Sequence, residues 1–594
     1  MCGFVGQISK NNIDNEKLLI CNNYLICRGP DDLSSINRNF KNFNFSAIFN
    51  RLAIIDLNEN ANQPMEDDEG NILLFNGEIF NHKDLRKDLI NNGITFKTSH
   101  ADSEVVLKGL GHYGINFVNN LTGQFSIFYF SNKKNTCYLI RDRLGQKPLF
   151  YVQDNENLLF SSNLKTLIKL KGDYQVSETE FNEYIFTGVV SSPKTIFKNF
   201  KKLKPGEIIT FELNDQIKAS SKIYWKPEDH LGNKKFDKDL FFSLLNDSLM
   251  IRGEADVQVA HFLSGGLDST TLIKLNSAES RKKINTFNVS SKDSKYDESY
   301  WAQKVVDKYN SNHITVEVSA KIEIDLITET ISSFDEPYSD PSTIPSYLIS
   351  KKISKFYKAA ISGDGGDELL GGYKRLYKSI NRIKISNRLV SLLFNLYPFW
   401  LGSGYILNRN NNLIDKSYIS HFIDFKLKNI LTKNSFICYP ELNFNIIPED
   451  EYKSILLFDY KYYLPEMMML KVDRSSMANS LEVRSPFVDH RLVELILNSD
   501  LSNKKIHDSK KILKDFLSED FPSDFLYRPK QGFVFELEDW VFSNKEMIYD
   551  TIKNSQINYM FNLKNLKKLF FFKSRINALR IWRVYFICVY LDSV

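Results

Sequence analysis

Cysteine is scarce in this chain. The 594 residues hold six, Cys2, Cys21, Cys27, Cys137, Cys438 and Cys588, and no two stand as a CxxC pair. That argues against a zinc site or a disulfide framework, so free thiols in a reducing compartment are expected. The N-terminus lacks a basic stretch followed by an apolar core, and a cytoplasmic location is the expectation. Long apolar runs are missing too. The most apolar tail segment, INALRIWRVYFICVYLDSV, carries Arg580 and Arg583 and is too short to span a bilayer. It reads as a terminal helix docked on a core, and no membrane partner is expected. Charge of one sign does not dominate: the net charge is +5, with Lys and Arg scattered along the chain, which argues against nucleic acid as a partner.

What is present is an ordinary globular balance, 43% hydrophobic and 25% charged residues, on a chain too long for one core. At least two domains are expected. In residues 1–210 the runs FSAIFNRLAIIDL, NILLFNGEIF, GQFSIFYF, TCYLIRDRLG and PLFYV are rich in Phe, Ile, Tyr and Leu and bounded by Asn, Gly or Asp, as strands are. NHKDLRKDLINNG and DSEVVLKGLGHYG have helical spacing and stop at Gly. Sheets layered with helices are predicted, closed by a hairpin with Pro205–Gly206 as its turn. Residues 211–235 read as a connector. In 236–594, VQVAHFLS, INTFNVS and YKAAIS are short strands alternating with helices, the pattern of a doubly wound parallel sheet. From about Lys374 the chain is mostly helical and aromatic.

Two features carry chemistry. Removing Met1 would leave Cys2 with its thiol and an α-amine on one residue. Such an amine, with a pKa of roughly 7.7–8.0, is a usable base near neutral pH, and the thiolate is the attacking form of the thiol. The second feature is FLSGGLDSTTL, a strand ending at Leu263 that runs into Ser264, Gly265 and Gly266 and then a helix. Backbone N–H groups of such a turn close around an anion, and no lysine follows the glycines, so this is not a Walker loop. AISGDGGDELLGGY repeats the logic with Asp364, Asp367 and Glu368. Three acids beside an anion-binding turn need an oxygen-loving cation such as Mg2+ to offset their repulsion. Both loops belong at the carboxyl edge of one parallel sheet, where such sheets bind ligands.

With these motifs placed, the chain resembles the glutamine-hydrolysing asparagine synthetases of the bacterial type over nearly its whole length. RGPDD, FNRLAIIDL, NQPM, LLFNGEIFNH, HADSEVVL and RDRLGQKPLFY stand in family order. TFNV, YDESYWA, FDEPYSDPSTIPSYLIS, SGDGGDELLGGY, YLPEMMMLKVDRSSMANSLEVRSPFVDHRLVE, SKKILK and RPKQGFVFELEDW follow. The resemblance implies an α/β protein: a layered αββα glutaminase domain of the N-terminal nucleophile kind, then an ATP-pyrophosphatase-like domain on a doubly wound parallel sheet with a helical C-terminal part. It implies Cys2 as nucleophile, Asn76 and the backbone of Gly77 as oxyanion hole, Arg51 for the glutamine α-carboxylate, and Glu78 and Asp102 for its α-ammonium.

In the second half the resemblance implies ATP contacts from Leu263, Ser264, Gly265, Gly266, Asp268, Ser269, Val289, Ser362 and Gly363, with Mg2+ on Asp268 and Asp367. Asp364 would act on the attacking ammonia, and Lys510 would meet phosphate charge as an acyl-adenylate forms. Arg484 and Asp473 are either acceptor-side residues or a buried structural ion pair. Glutamine, aspartate and ATP are the implied substrates, and a homodimer is left open. The chain departs from the family's usual pattern at Asn163, where an acid is usual, and at Gln258, Ala260 and Ser485. Two alternatives stand beside this reading: the same chemistry on a different carboxylate, a sugar acid or peptide, and a non-catalytic regulator that binds nucleotide and glutamine.

Overall fold

Apolar residues at every second position build two sheets in the N-terminal half, because successive side chains of a strand point to opposite faces. The strands are β1 (Gly3–Ser9), β2 (Asp32–Phe40), β3 (Phe43–Arg51), β4 (Met65–Glu66), β5 (Ile72–Ile79) and β6 (Gly123–Ser131). They continue with β7 (Thr136–Arg141), β8 (Phe150–Gln153), β9 (Asn157–Ser161), β10 (Lys201–Lys202), β11 (Glu207–Leu213) and β12 (Ile217–Ile223). One sheet runs β10-β8-β9-β1-β3-β2 and the other β12-β11-β7-β6-β5-β4. Phe4, Ile8 and Phe45 of the first face Leu74, Phe128 and Phe130 of the second, and Phe45 stacks on Phe128 with ring centroids 5.3 Å apart. Helices His82–Asn91 and Asp102–Tyr113 cover the outer face of the second sheet, and Asn15–Cys21 and Leu164–Lys171 that of the first. These are the four layers expected.

This computed structural model describes the chain apart from residues 1, 280–282, 291–297, 318–322, 384–386, 403, 405–412, 433–439, 449, 502–509 and 529–534, and the side chains of 387–391. The closing hairpin lies later than expected. Pro205–Gly206 leads into β11, and the turn falls at residues 214–216, with β12 paired to β11 from Ile217↔Leu213 to Ile223↔Glu207. The stretch read as a connector therefore contains the last strand of the second sheet. IKASSKI hides this because, on an edge strand, all but its first residue are exposed, so the sequence shows no apolar alternation.

In the C-terminal half, β13 (Val259–Phe262), β14 (Asn285–Ser290), β15 (Asn312–Glu317), β16 (Ala359–Ile361) and β17 (Glu482–Arg484) form one sheet in the order β15-β14-β13-β16-β17. Every pair is parallel. β13 and β16 are neighbours, so the two glycine-rich loops that follow them emerge side by side. The remainder is mainly helical and ends in Arg575–Asp592, which buries Trp582, Tyr585 and Phe586. The Tyr184 hydroxyl donates to the Arg583 carbonyl at 3.0 Å, tying this helix to the N-terminal half. Among the described residues no helix is long and apolar enough to cross a membrane.

Candidate active site

β1 and β5 lie in different sheets, and the start of one meets the end of the other. Cys2 shares the inward face with Phe4 and Ile8, and Asn76 shares the register parity of Ile72 and Leu74. The two residues meet where the sheets converge: the Cys2 N–H donates to Asn76 Oδ1 at 3.1 Å, and Asn76 Nδ2 donates to Ser126 Oγ at 3.3 Å. A Cβ at Gly77 would lie 2.1 Å from the Gln124 carbonyl oxygen, so only glycine lets β5 pair this closely with β6 here.

A pocket opens at this point, lined by Cys2, Arg51, Gly77, Glu78 and Asp102 among others. The residues expected to hold glutamine, Arg51, Glu78 and Asp102, are thus brought together; Asn76, expected in the oxyanion hole with Gly77, is held between the Cys2 N–H and Ser126 and does not line the pocket. Arg51 is held by the loop after β3: its Nη1 donates to the Asn58 carbonyl at 3.0 Å and to Asn62 Oδ1 at 2.5 Å, and its Nη2 to the Asp56 carbonyl. Opposite it, Asp102 Oδ2 accepts the Ile79 N–H at 2.9 Å from the first turn of helix Asp102–Tyr113. Glu78 Oε2 lies 3.1 Å from Arg484 Nη2, while its Oε1 is buried without a hydrogen-bond partner.

Burial dominates the titration of this site. It pushes the Cys2 thiol up, against the Leu52 amide and the Arg51 charge. It holds Glu78 well above the usual carboxylate range, helped by the charge of Asp102, and raises Asp102 too. One wall carries a guanidinium and the other two buried carboxylates. That polarity is complementary to an amino acid's own carboxylate and ammonium.

At the second site the two glycine loops interlock. A Cβ on Gly363 would lie 3.0 Å from Ser269 N, and one on Gly366 2.6 Å from Asp268 Oδ1. The Gly266 N–H donates to Ser264 Oγ at 3.2 Å, and Ser264 Oγ lies 3.3 Å from Ser269 Oγ. Gly265 has φ +70°, the left-handed region glycine favours. Leu263 is buried at the end of β13 and Val289 half-buried near the end of β14. The Ser362 N–H donates to the Arg484 carbonyl at 2.9 Å. Lys510 Nζ stands 2.5 Å from Asp268 Oδ2 and 2.6 Å from Asp367 Oδ1, which unites three expected residues around one cation. Two carboxylates converging on a single ammonium are a hard-oxygen donor set that fits a divalent cation.

The acids of the second loop do not act as one cluster. Side chains diverge by about 100° per residue at a helix start, and helix Gly366–Leu370 begins there. Asp367 faces Lys510. Asp364 Oδ2 accepts from Ser362 Oγ at 2.5 Å, and Glu368 Oε1 accepts from the Tyr373 hydroxyl at 2.6 Å. Burial, with the nearby charge of Asp367, pushes Glu368 up to about 7. Among the described residues no group of three or more metal-ligating side chains forms.

Arg484 and Asp473 are not partners of each other. Arg484 pairs with Glu482 at 2.6 Å and with Glu78. Asp473 accepts both Nη atoms of Arg28, at 2.9 and 3.1 Å, while Arg28 Nε donates to the Cys2 carbonyl at 3.2 Å. Positive charge from Arg28 and Lys147 holds Asp473 at about 2 against its burial. Both residues thus stand near the Cys2 pocket, in ion pairs between the two halves. Arg28 went unread in the sequence because its partner Asp473 lies 445 residues away; Glu482 pairs with Arg484 two residues on, along the same strand. The one available signal was that each sits in a motif, CRGPDD or LEVRSPF. Asn163, the departure from the family pattern, caps helix Leu164–Lys171 through Oδ1, which accepts the Thr166 N–H at 3.0 Å.

A family model described as asparagine synthase matches residues 241–579, and one described as a glutamine amidotransferase domain matches residues 1–225. The chain is 29% identical over 585 residues to glutamine-hydrolyzing asparagine synthetase 1 of Bacillus subtilis (strain 168), covering 94% of this chain and 90% of that one. It is 27% identical to glutamine-hydrolyzing asparagine synthetase 3 of the same organism, covering 90% of this chain and 87% of the relative. With both halves matched and the pocket and loops assembled as described, the chain belongs to the asparagine synthase family.

Proposed function

We propose that this chain makes asparagine from aspartate in the cytoplasm, with glutamine as nitrogen donor and ATP as activating substrate. The observation that carries the reading is the pocket joining Cys2, Arg51, Gly77, Glu78 and Asp102, with Glu78 Oε1 buried and without a hydrogen-bond partner.

Glutamine binds with its α-carboxylate on Arg51 and its α-ammonium between Glu78 and Asp102. The Cys2 α-amine, freed when Met1 is removed, takes the thiol proton that burial makes reluctant to leave. The thiolate adds to the amide carbonyl, and the oxyanion is met by Asn76 and the Gly77 N–H. Ammonia departs, and water hydrolyses the thioester to glutamate. In the other half the aspartate side-chain carboxylate attacks the α-phosphorus of ATP and pyrophosphate leaves. Ammonia then attacks the acyl carbon, AMP leaves, and Asp364 receives the proton. Ser264 to Ser269, Ser362 and Gly363 cradle the nucleotide between Leu263 and Val289, and Lys510 turns to the phosphates. Asp268 and Asp367 would hold Mg2+, which when bound offsets phosphate charge. Because free ammonia is mostly ammonium at neutral pH, a sheltered route between the halves serves this chemistry.

Incubation with Mg-ATP, glutamine and aspartate tests the reading. Asparagine, AMP and pyrophosphate are expected in equal amounts. ADP and phosphate would rule out adenylation, and turnover of another carboxylate with none of aspartate would replace the acceptor.

A further inference from the structure

Two long stretches of the chain hold no acidic residue. Residues 369–414 and 551–591 contain neither Asp nor Glu, and the second carries Lys564, Lys567, Lys568, Lys573 and Arg575 in close succession. The fold brings the two together. Trp400 stacks on Phe572 with ring centroids 5.3 Å apart. The Asn577 side-chain amide donates to the Trp400 carbonyl at 3.0 Å and the Phe572 carbonyl at 3.1 Å, and Arg580 donates to the Phe399 carbonyl. Apolar side chains project into water from both stretches: Leu396 is 72% exposed and Phe571 70%, with Leu392, Tyr397, Leu401 and Phe572 also outward. Apolar side chains gathered in this way on a surface mark a contact site.

The charge around the patch selects the occupant. Lys573 pairs with Asp539 at 2.5 Å, but among the described residues Lys564, Lys567, Lys568 and Arg575 have no carboxylate in ion-pair reach. A second copy of the chain would set this patch against itself about a two-fold axis, lysine facing lysine. Nucleic acid would satisfy the lysines and offer nothing apolar to Leu392 or Leu396. An anionic lipid surface meets both demands, with headgroups for the basic side chains and the acyl boundary for the apolar tips. We infer that the patch formed by helix Asn387–Leu396, the segment through Leu401 and residues 564–576 docks the protein peripherally on anionic lipid. The attachment lies in the membrane plane, and it revises the expectation of no membrane partner.

The test is co-sedimentation of the full chain with vesicles of phosphatidylglycerol in phosphatidylcholine, beside pure phosphatidylcholine. Binding to the anionic vesicles alone is expected, with loss near 1 M salt, where screening shortens to about 3 Å. The pairs Lys567→Glu/Lys568→Glu and Phe571→Ser/Phe572→Ser should each weaken binding about tenfold and leave glutamine-dependent synthesis in solution unchanged. No binding to phosphatidylglycerol, or binding untouched in both variants, overturns the proposal. So does a dimer in sedimentation that Phe571→Ser/Phe572→Ser dissolves, or preferential capture of single-stranded RNA by the same patch.

Discussion

Arg484 and Glu78 lie 3.1 Å apart across the boundary between the two halves. Arg484 is fully buried and anchored by Nη1 to the carbonyls of Arg252 at 2.9 Å and Glu254 at 2.6 Å. Its own carbonyl accepts the Ser362 N–H of the nucleotide loop at 2.9 Å. The cation that supports Glu78 in the glutamine pocket therefore hangs from the strand beside the ATP loop. Replacing it by Gln leaves a buried carboxylate uncompensated, a change of several kcal/mol in such settings. Arg484→Gln is expected to raise the glutamine KM at least about tenfold and to spare ammonium-dependent synthesis within a few-fold, with Arg484→Lys between the two. Steady-state kinetics with both nitrogen sources decides it; an unchanged glutamine KM would remove Arg484 from substrate binding.

Asp268 and Asp367 share Lys510, and each is assigned to phosphate-side charge. Asp268→Asn and Asp367→Asn should each reduce synthesis about a hundredfold or more, since each removes charge stabilisation of several kcal/mol. Basal glutamine hydrolysis should remain, because Cys2 lies in the other half. Pyrophosphate and glutamate are measured in parallel, and near-normal pyrophosphate release in a folded variant would refute the assignment.

Glu368 gives a pH signature. Its carboxyl rises from an ordinary 4.5 to about 7 through burial beside Asp367. The folded state then holds a proton that the unfolded state has released, so stability falls as pH rises from about 4.5 to about 7. Glu368→Gln keeps an acceptor for the Tyr373 hydroxyl and removes the titration. The variant should melt roughly 2–4 °C above the parent at pH 8 and no higher at pH 4, as followed by circular dichroism. Equal melting curves at pH 8 would mean that Glu368 ionises without cost.

Asn163 caps helix Leu164–Lys171, which meets the other half of the chain. The Leu164 N–H beside it donates to Asp335 Oδ2 in the other half at 3.0 Å. Asn163→Ala should cost about 1 kcal/mol of stability and leave the ratio of glutamate formed to asparagine formed unchanged. A rise in that ratio would give residue 163 a part in ammonia transfer.

The strands were legible where both faces are buried, as in GQFSIFYF, and illegible where an edge strand is polar along nearly its whole length, as in IKASSKI. The two glycine-rich loops were legible because glycines and a preceding strand are local signals. The ion pairs were not, because Arg28 meets Asp473 445 residues away, and no local spacing encodes that contact. The same limit misread the acids of GDGGDELL: adjacent in sequence, they diverge on a helix start, and Asp367 finds Asp268 and Lys510 instead of its neighbours.

The most direct measurement follows asparagine formation by Cys2→Ala from two nitrogen sources. Two sites joined only by ammonia predict that glutamine hydrolysis and glutamine-driven synthesis are lost, while synthesis from ammonium salt persists and increases toward pH ~9 as ammonium gives up its proton. Glutamine-driven synthesis surviving in Cys2→Ala would contradict the nucleophile and, with it, the division of labour between the halves.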